Sequence, residues 1–127
     1  MDPLRTLLVV DDDVAMRQML ASLFRDRGFQ VREAASAGEA LDLAREADFG
    51  VVLTDVRMPK MTGYELCKVI KAEPTLEHVP VVFLSAKGQE AEVKTGLQVG
   101  ATEYLLKPFA PDQLTRKVAD ILARPKK

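Results

Sequence analysis

The chain has one cysteine, one histidine and no tryptophan among its 127 residues, and each shortage removes a class of function. Cys67 has no partner within the chain, so no disulfide framework holds this fold, and a reducing cytoplasm is the expected setting. Protein zinc sites are usually built from clustered Cys and His. Only Cys67 and His78 are available, and His78, in a loop ahead of the fourth apolar run, reads as a surface or packing residue. Charge of one sign is not in excess either: 18 Lys and Arg face 19 Asp and Glu, for a net charge of −1. Without a basic field, direct binding to nucleic acid or to an anionic membrane surface is disfavoured. Long hydrophobic runs are missing as well; crossing a bilayer takes roughly 20 apolar residues, and no run here approaches that. The opening Met1 to Arg5 carries Asp2, Pro3 and Arg5 ahead of a short apolar stretch, which is not the pattern of a secretory signal.

What is present is a rhythm. A chain of this length buries roughly two thirds of the surface it exposes when unfolded, so one domain can form a core without metal or disulfides. Short apolar runs at Thr6 to Val10, Gln30 to Ala34, Val51 to Thr54, Val81 to Leu84 and Tyr104 to Leu106 alternate with five longer stretches of helical period. That βαβα alternation predicts an α/β fold, (βα)5, with a parallel five-stranded sheet covered by helices on both faces. Ser36 with Glu39 and Thr62 with Glu65 have capping-box spacing, Pro111 suits a first helical position, and Asp112 suits the positive end of the same helix. Gly28, Gly50 and Gly100 stand where helices should stop or loops turn. Leu66, Val69 and Ile70 form one apolar stripe, and Leu114, Val118, Ile121 and Leu122 form another; both predict core.

Strand character predicts strand order. Runs one, three and four are apolar on both faces, as strands inside a doubly wound sheet must be. Run two alternates polar and apolar residues and run five is very short, so these are the natural edges. The order 2-1-3-4-5 satisfies both conditions. With right-handed crossovers it reverses the winding between strands one and three, which opens a crevice beyond their carboxyl ends.

The carboxyl ends carry reactive side chains. Run one is followed by Asp11-Asp12-Asp13, run three by Asp55, run four by Ser85 and run five by Lys107-Pro108. Asp13 also suits the cap of the first helix. Carboxylates about 4 Å apart repel by several kcal/mol at an effective dielectric near 20, so a cation is needed among them. Lys107 offsets one charge, and the all-oxygen remainder suits Mg²⁺, which keeps several waters and takes one or two carboxylates. An aspartate beside Mg²⁺, a lysine and a hydroxyl is apparatus for phosphoryl transfer, in which a carboxylate can itself be the nucleophile. Asp55, at the central strand, is the predicted acceptor, with Asp11 and Asp12 on the metal and Ser85 and Lys107 on phosphoryl oxygens.

Four segments resemble the receiver (CheY-like) domain of bacterial two-component response regulators. They are Leu7-Leu8-Val9-Val10-Asp11-Asp12, the run from Asp55-Val56-Arg57-Met58-Pro59 through Lys60-Met61-Thr62-Gly63, Leu84-Ser85-Ala86, and Tyr104-Leu105-Leu106-Lys107-Pro108-Phe109. Together, in this order and at these separations, they form a specific signature covering essentially the whole chain. The family is known for a flavodoxin-like sheet in the same 2-1-3-4-5 order, so that order is implied by the resemblance as well as by strand character.

By position, the resemblance implies that Asp55 accepts a phosphoryl group from the phosphohistidine of a sensor histidine kinase or phosphotransfer protein. It implies Mg²⁺, or Mn²⁺ in its place, held by Asp12 directly, by Asp11 through water, by Asp55 and by the backbone carbonyl of Arg57. Ser85 and Tyr104 take the switch positions, and Lys107-Pro108 matches a dipeptide usually joined by a cis bond. Phosphorylation would then shift the face made by the fourth helical stretch, strand five and the last helix, which is also a candidate surface for a homodimer, with the oligomeric state left open. Arg57 and Lys87 flank the expected phosphate, where a cation tunes the lifetime of the acyl phosphate.

The expected role is therefore a signalling domain that catalyses only its own phosphorylation and dephosphorylation. Its output, a separate target or a fused domain, is left open. A Mg²⁺-dependent phosphatase of the haloacid dehalogenase type is the first rival, since Asp11-x-Asp13 resembles its nucleophile motif. That family places its nucleophile on strand one, usually under a cap for which this chain has no spare length. A receiver-like interaction module without phosphorylation would not need the intact acids, hydroxyl and lysine. A carrier of FMN would meet repulsion between its phosphate and Asp11-Asp12-Asp13. Residues 1–124 are expected to form the domain and 125–127 a short basic tail, the start of a linker on one reading.

Overall fold

A computed structural model describes residues 6–47, 49–56, 58, 60–86, 103–107 and 110–123, with Ser85, Ala86 and residues 103–107 described through their backbone. The strands are β1 (Thr6–Val10), β2 (Gln30–Ala34), β3 (Val51–Asp55), β4 (Val81–Ala86) and β5 (Glu103–Lys107). The helices are α1 (Val14–Asp26), α2 (Ala37–Glu46), α3 (Gly63–Ala72) and a C-terminal helix, Pro111–Ala123. The helical stretch expected between β4 and β5, and Gly100 after it, lie outside the described residues. No helix among the described residues is long and apolar enough to cross a membrane.

The five strands form one sheet in the order β2-β1-β3-β4-β5, and every pairing is parallel. The fold is thus the doubly wound α/β sheet expected from the sequence, with β2 and β5 as its edges. Three strands are longer than expected. β3 includes Asp55, β4 runs on through Ser85 and Ala86, and β5 spans Glu103 to Lys107. Ladder bonds join backbone to backbone, so a polar side chain at a strand end does not stop the pairing. Asp55 pairs with Leu84, Ser85 with Leu106 and Ala86 with Lys107.

Alternation along each strand splits the core in two. Leu8, Val10, Val52, Val81 and Phe83 face one side, where they pack with α2 residues Ala40 and Leu41 and α3 residues Leu66, Cys67 and Ile70. Leu7, Val9, Leu53, Val82 and Leu84 face the other, against Leu20, Ala21 and Phe24 of α1 and Leu114, Val118 and Ile121 of the C-terminal helix. β1 is buried along its whole length, whereas β2 alternates between buried and accessible positions, as an edge strand does.

The predicted caps differ in detail. Thr62 and Glu65 form a complete box: the Glu65 amide donates to Thr62 Oγ1 at 3.2 Å and the Thr62 amide donates to Glu65 Oε1 at 3.1 Å. Ser36 accepts from the Glu39 amide at 3.2 Å, but the Glu39 carboxylate reaches past it to the Ala35 amide, at 3.3 Å. The extended Ser36 backbone places the preceding amide within reach instead. His78 is exposed, in the turn ahead of β4.

Candidate functional site

Parity and register bring the acids together. Side chains alternate along a strand, so Asp11, following Leu7 and Val9, and Asp55, following Val51 and Leu53, belong to the same face of the sheet. Val10 pairs with Thr54, so Asp11 and Asp55 are the next residues on two adjacent parallel strands. Asp12 follows at once on the loop into α1. One carboxylate oxygen from each of Asp11, Asp12 and Asp55 lies within 4.8 Å of the others. Asp11 is 2% exposed, Asp55 half-buried and Asp12 exposed, so the cluster opens outward through Asp12.

Backbone contacts hold these carboxylates. The Asp11 amide donates to the Ala34 carbonyl at 3.1 Å, tying the end of β1 to β2. Asp11 Oδ1 accepts from the Asp13 amide at 2.9 Å, and the Asp11 carbonyl accepts from Arg17 Nη1 at 2.9 Å. Asp13 is the N-cap of α1, accepting from the amides of Ala15 at 3.0 Å and Met16 at 3.3 Å. The third acid of the triplet therefore belongs to the helix, and the first two belong to the crevice.

On β3, buried Thr54 donates from Oγ1 to the Asp55 carbonyl at 2.9 Å. The Gly63 amide donates to the Val56 carbonyl at 2.8 Å, which folds the start of α3 back against the strand. A Cβ on Gly63 would stand 2.3 Å from the Asp55 carbonyl oxygen, so only glycine permits this approach. Lys60, at φ 69°, turns the same loop through the left-handed region that side chains other than glycine rarely adopt.

Three carboxylates at this spacing repel one another by about 3.5 kcal/mol per pair at an effective dielectric near 20, less where water screens Asp12. The donor set is all oxygen, is open on one side and has no Cys or His in it among the described residues, which fits a hard divalent cation such as Mg²⁺.

The other predicted residues stand as follows. Ser85 lies one residue past the Asp55–Leu84 pair and Lys107 pairs with Ala86, so the backbone brings both to the carboxyl end of the sheet, Ser85 on the strand next to β3 and Lys107 on the strand after it. Tyr104 pairs with Phe83 on β4. Arg57, Lys87 and Pro108 lie outside the described residues, and with them the expected carbonyl ligand, the lifetime-tuning pair and the cis peptide bond. Sequence reasoning missed Arg17 and Thr54 and assigned Gly63 no task. A cation one turn into the helix that follows an acidic triplet is the signal that could have found Arg17.

A parallel sheet wound in two directions, with carboxylates gathered where the winding reverses, defines a doubly wound α/β protein with an acidic crevice at its switch point. The chain belongs to the response regulator receiver domain family, which matches residues 7–119. It is 40% identical over 118 residues to a chemotaxis protein CheY homolog of Campylobacter jejuni, covering 91% of each chain. It is 38% identical over 125 residues to the DNA-binding response regulator MtrA of Mycobacterium bovis, covering 98% of this chain and 54% of that one. The chain thus spans about half the length of several curated relatives, among them a probable transcriptional regulator of Cyanophora paradoxa, of which it covers 49%. Among solved structures, a putative response regulator from Chloroflexus aurantiacus superposes with a TM-score of 0.91 at 39% identity, over 94% of this chain and 98% of that one. None of these similarities points to a phosphatase of the haloacid dehalogenase type.

Proposed function

We propose that Asp55 is a reversible phosphoryl acceptor, loaded from the phosphohistidine of a histidine kinase or phosphotransfer protein. The observation that carries this reading is the convergence of Asp11, Asp12 and Asp55 oxygens within 4.8 Å at the end of the central strand. An Asp55 carboxylate oxygen forms the new bond to phosphorus, the phosphorus–nitrogen bond breaks, and the imidazole nitrogen keeps the electron pair and takes up a proton. Asp11, Asp12 and Asp55 would hold Mg²⁺, or Mn²⁺ in its place, joined by the Arg57 carbonyl. Bound there, the ion supplies positive charge against the carboxylates and the incoming phosphoryl oxygens.

The protein's own groups do the rest. Thr54 and Gly63 fix the backbone on either side of Asp55, so the carboxylate meets phosphorus already oriented. Ser85 donates to one phosphoryl oxygen and Lys107 pairs with another. The phosphoryl group adds close to two negative charges, which favours Ser85 and Lys107 drawn toward it. Tyr104, on β5, transmits that movement to the face formed by the stretch before β5, β5 itself and the C-terminal helix, where a target, an output domain or a second copy docks. Arg57 and Lys87 screen the acyl phosphate and set how fast water attacks it.

The test is incubation with acetyl phosphate or phosphoramidate and Mg²⁺, followed by intact mass. A gain of one phosphoryl group, lost in Asp55→Asn and in chelator, is the expected result. A gain that survives Asp55→Asn would overturn the assignment.

A further inference from the structure

The Arg17 side chain, on α1, reaches back to the acidic loop, and its two contacts point in different directions. Nη1 donates to the Asp11 carbonyl at 2.9 Å, and Nε donates to Glu33 Oε1, on edge strand β2, at 3.3 Å. Its side chain is 15% exposed and that of Glu33 26%, so the pair is largely withdrawn from water. Glu33 is itself held: its other oxygen accepts from Arg25 Nη1 at 3.3 Å, while Arg25 Nη2 donates to the Val31 carbonyl at 2.8 Å. The planar guanidinium is therefore aimed from behind and has little freedom to swing.

What it holds matters because of where that carbonyl sits. The Asp11 carbonyl belongs to the peptide unit joining Asp11 to Asp12. The Asp11 amide is bonded to Ala34 and the Asp11 carboxylate to the Asp13 amide, so the Asp11 side of that unit is already anchored. The Arg17 bond fixes the plane of the unit, from which the exposed Asp12 side chain projects. Without it the plane can tilt, and the distance between the Asp12 carboxylate and those of Asp11 and Asp55 is no longer set.

We propose that Arg17, aimed by Glu33, is a positioning residue for the divalent-cation site: it holds the Asp11–Asp12 peptide so that the two carboxylates stand ready for the ion. The proposal rests on the metal-site reading above. It makes a prediction of unusual sign. A guanidinium near a cation site repels the ion, so electrostatics alone says that removing the charge tightens Mg²⁺ binding. Positioning says that binding weakens.

Titration calorimetry with Mg²⁺, paralleled by electron paramagnetic resonance with Mn²⁺, reads this directly on folded protein without any phosphodonor. Arg17→Gln is expected to bind Mg²⁺ about 10-fold more weakly than wild type, the lower end of the range for groups that orient metal ligands. Arg17→Lys keeps the charge and a donor but not the fork, and its affinity should fall between the two. Leu20→Ala loosens the packing of α1 without removing any contact of Arg17, Glu33 or Arg25; it should lose stability and keep wild-type affinity, which separates positioning from general loosening of α1. Wild-type or tighter binding in Arg17→Gln overturns the proposal, as does an equal weakening in Leu20→Ala. If Arg17→Gln does not fold, wild-type affinity in Arg17→Lys overturns it instead. Absence of Mg²⁺ binding by the wild-type chain at millimolar concentration sinks the metal-site reading itself, an outcome distinct from wild-type binding that ignores Arg17.

Discussion

At the scale of single residues, the site depends as much on a missing side chain as on those present. Gly63 lets α3 begin against the Asp55 carbonyl, where a methyl group would collide with backbone at 2.3 Å. Backbone cannot step aside as a flexible side chain can, so the strand end and the helix start must separate. We expect Gly63→Ala to cost about 1–3 kcal/mol of stability, read as a lower urea midpoint. It should also slow labelling of Asp55 by acetyl phosphate in the protein that remains folded. A wild-type midpoint in this variant would show that the loop absorbs the methyl group and that the close approach has no structural consequence.

At the scale of elements, α3 carries both a capping box at one end and, further along, a buried thiol with a half-buried lysine one turn on. Cys67 is fully buried in the core beneath the helix, and this burial pushes its thiol up to about 11, with Lys71 opposing the shift. Lys71, one turn on, donates to the carbonyls of Glu77 at 3.0 Å and Val79 at 2.8 Å, tying the turn ahead of β4 to the helix. Burial lowers the Lys71 pKa, with Cys67 and Glu77 opposing the shift. The two shifts act on stability in opposite directions. The folded thiol keeps its proton to about 11 while the unfolded one loses it near the ordinary value of 9.0, so stability falls as pH rises through that window. The folded lysine sheds its proton before the unfolded one does, which favours the folded state as pH approaches 10.5. Replacing Cys67 removes the first effect and leaves the second. Between pH 8.5 and 11 the unfolding midpoint should therefore fall more steeply in the wild type than in Cys67→Ala, by the equivalent of up to about 3 kcal/mol. An equal pH slope in both proteins would contradict this account of α3.

At the scale of the whole molecule, the sheet concentrates like charge where its winding reverses, and global stability should register that. Asp12 is exposed and contributes little to packing, so removing it relieves repulsion at little structural cost. In chelator, Asp12→Ala is expected to be more stable than wild type by about 1 kcal/mol, after allowance for screening by water. The stabilisation that Mg²⁺ gives the wild type by binding only the folded state should be largely lost in the variant. A wild-type melting temperature that does not move with Mg²⁺ would count against the cluster as a cation site.

Much of this architecture could be read before any coordinates. Runs one, three and four are apolar on both faces because they are interior strands, and run two alternates because it is an edge; the order β2-β1-β3-β4-β5 follows from that difference. Asp11, Asp12 and Asp55 were legible because acids that end adjacent strands converge whatever the details of packing. The strand ends were less so: pairing continues through Asp55, Ser85 and Lys107, since backbone ladders do not register side-chain polarity.

Local pattern, then, determined the α/β class, the strand order, the capping of α3 and the identity of the acidic cluster, because periodicity and capping are properties of neighbours along the chain. Only the tertiary structure decided that Gly63 must lack a side chain and that Arg17 bridges the Asp11 carbonyl and Glu33. Those contacts join segments whose separation is set by register and helix docking, quantities that no short window of sequence contains.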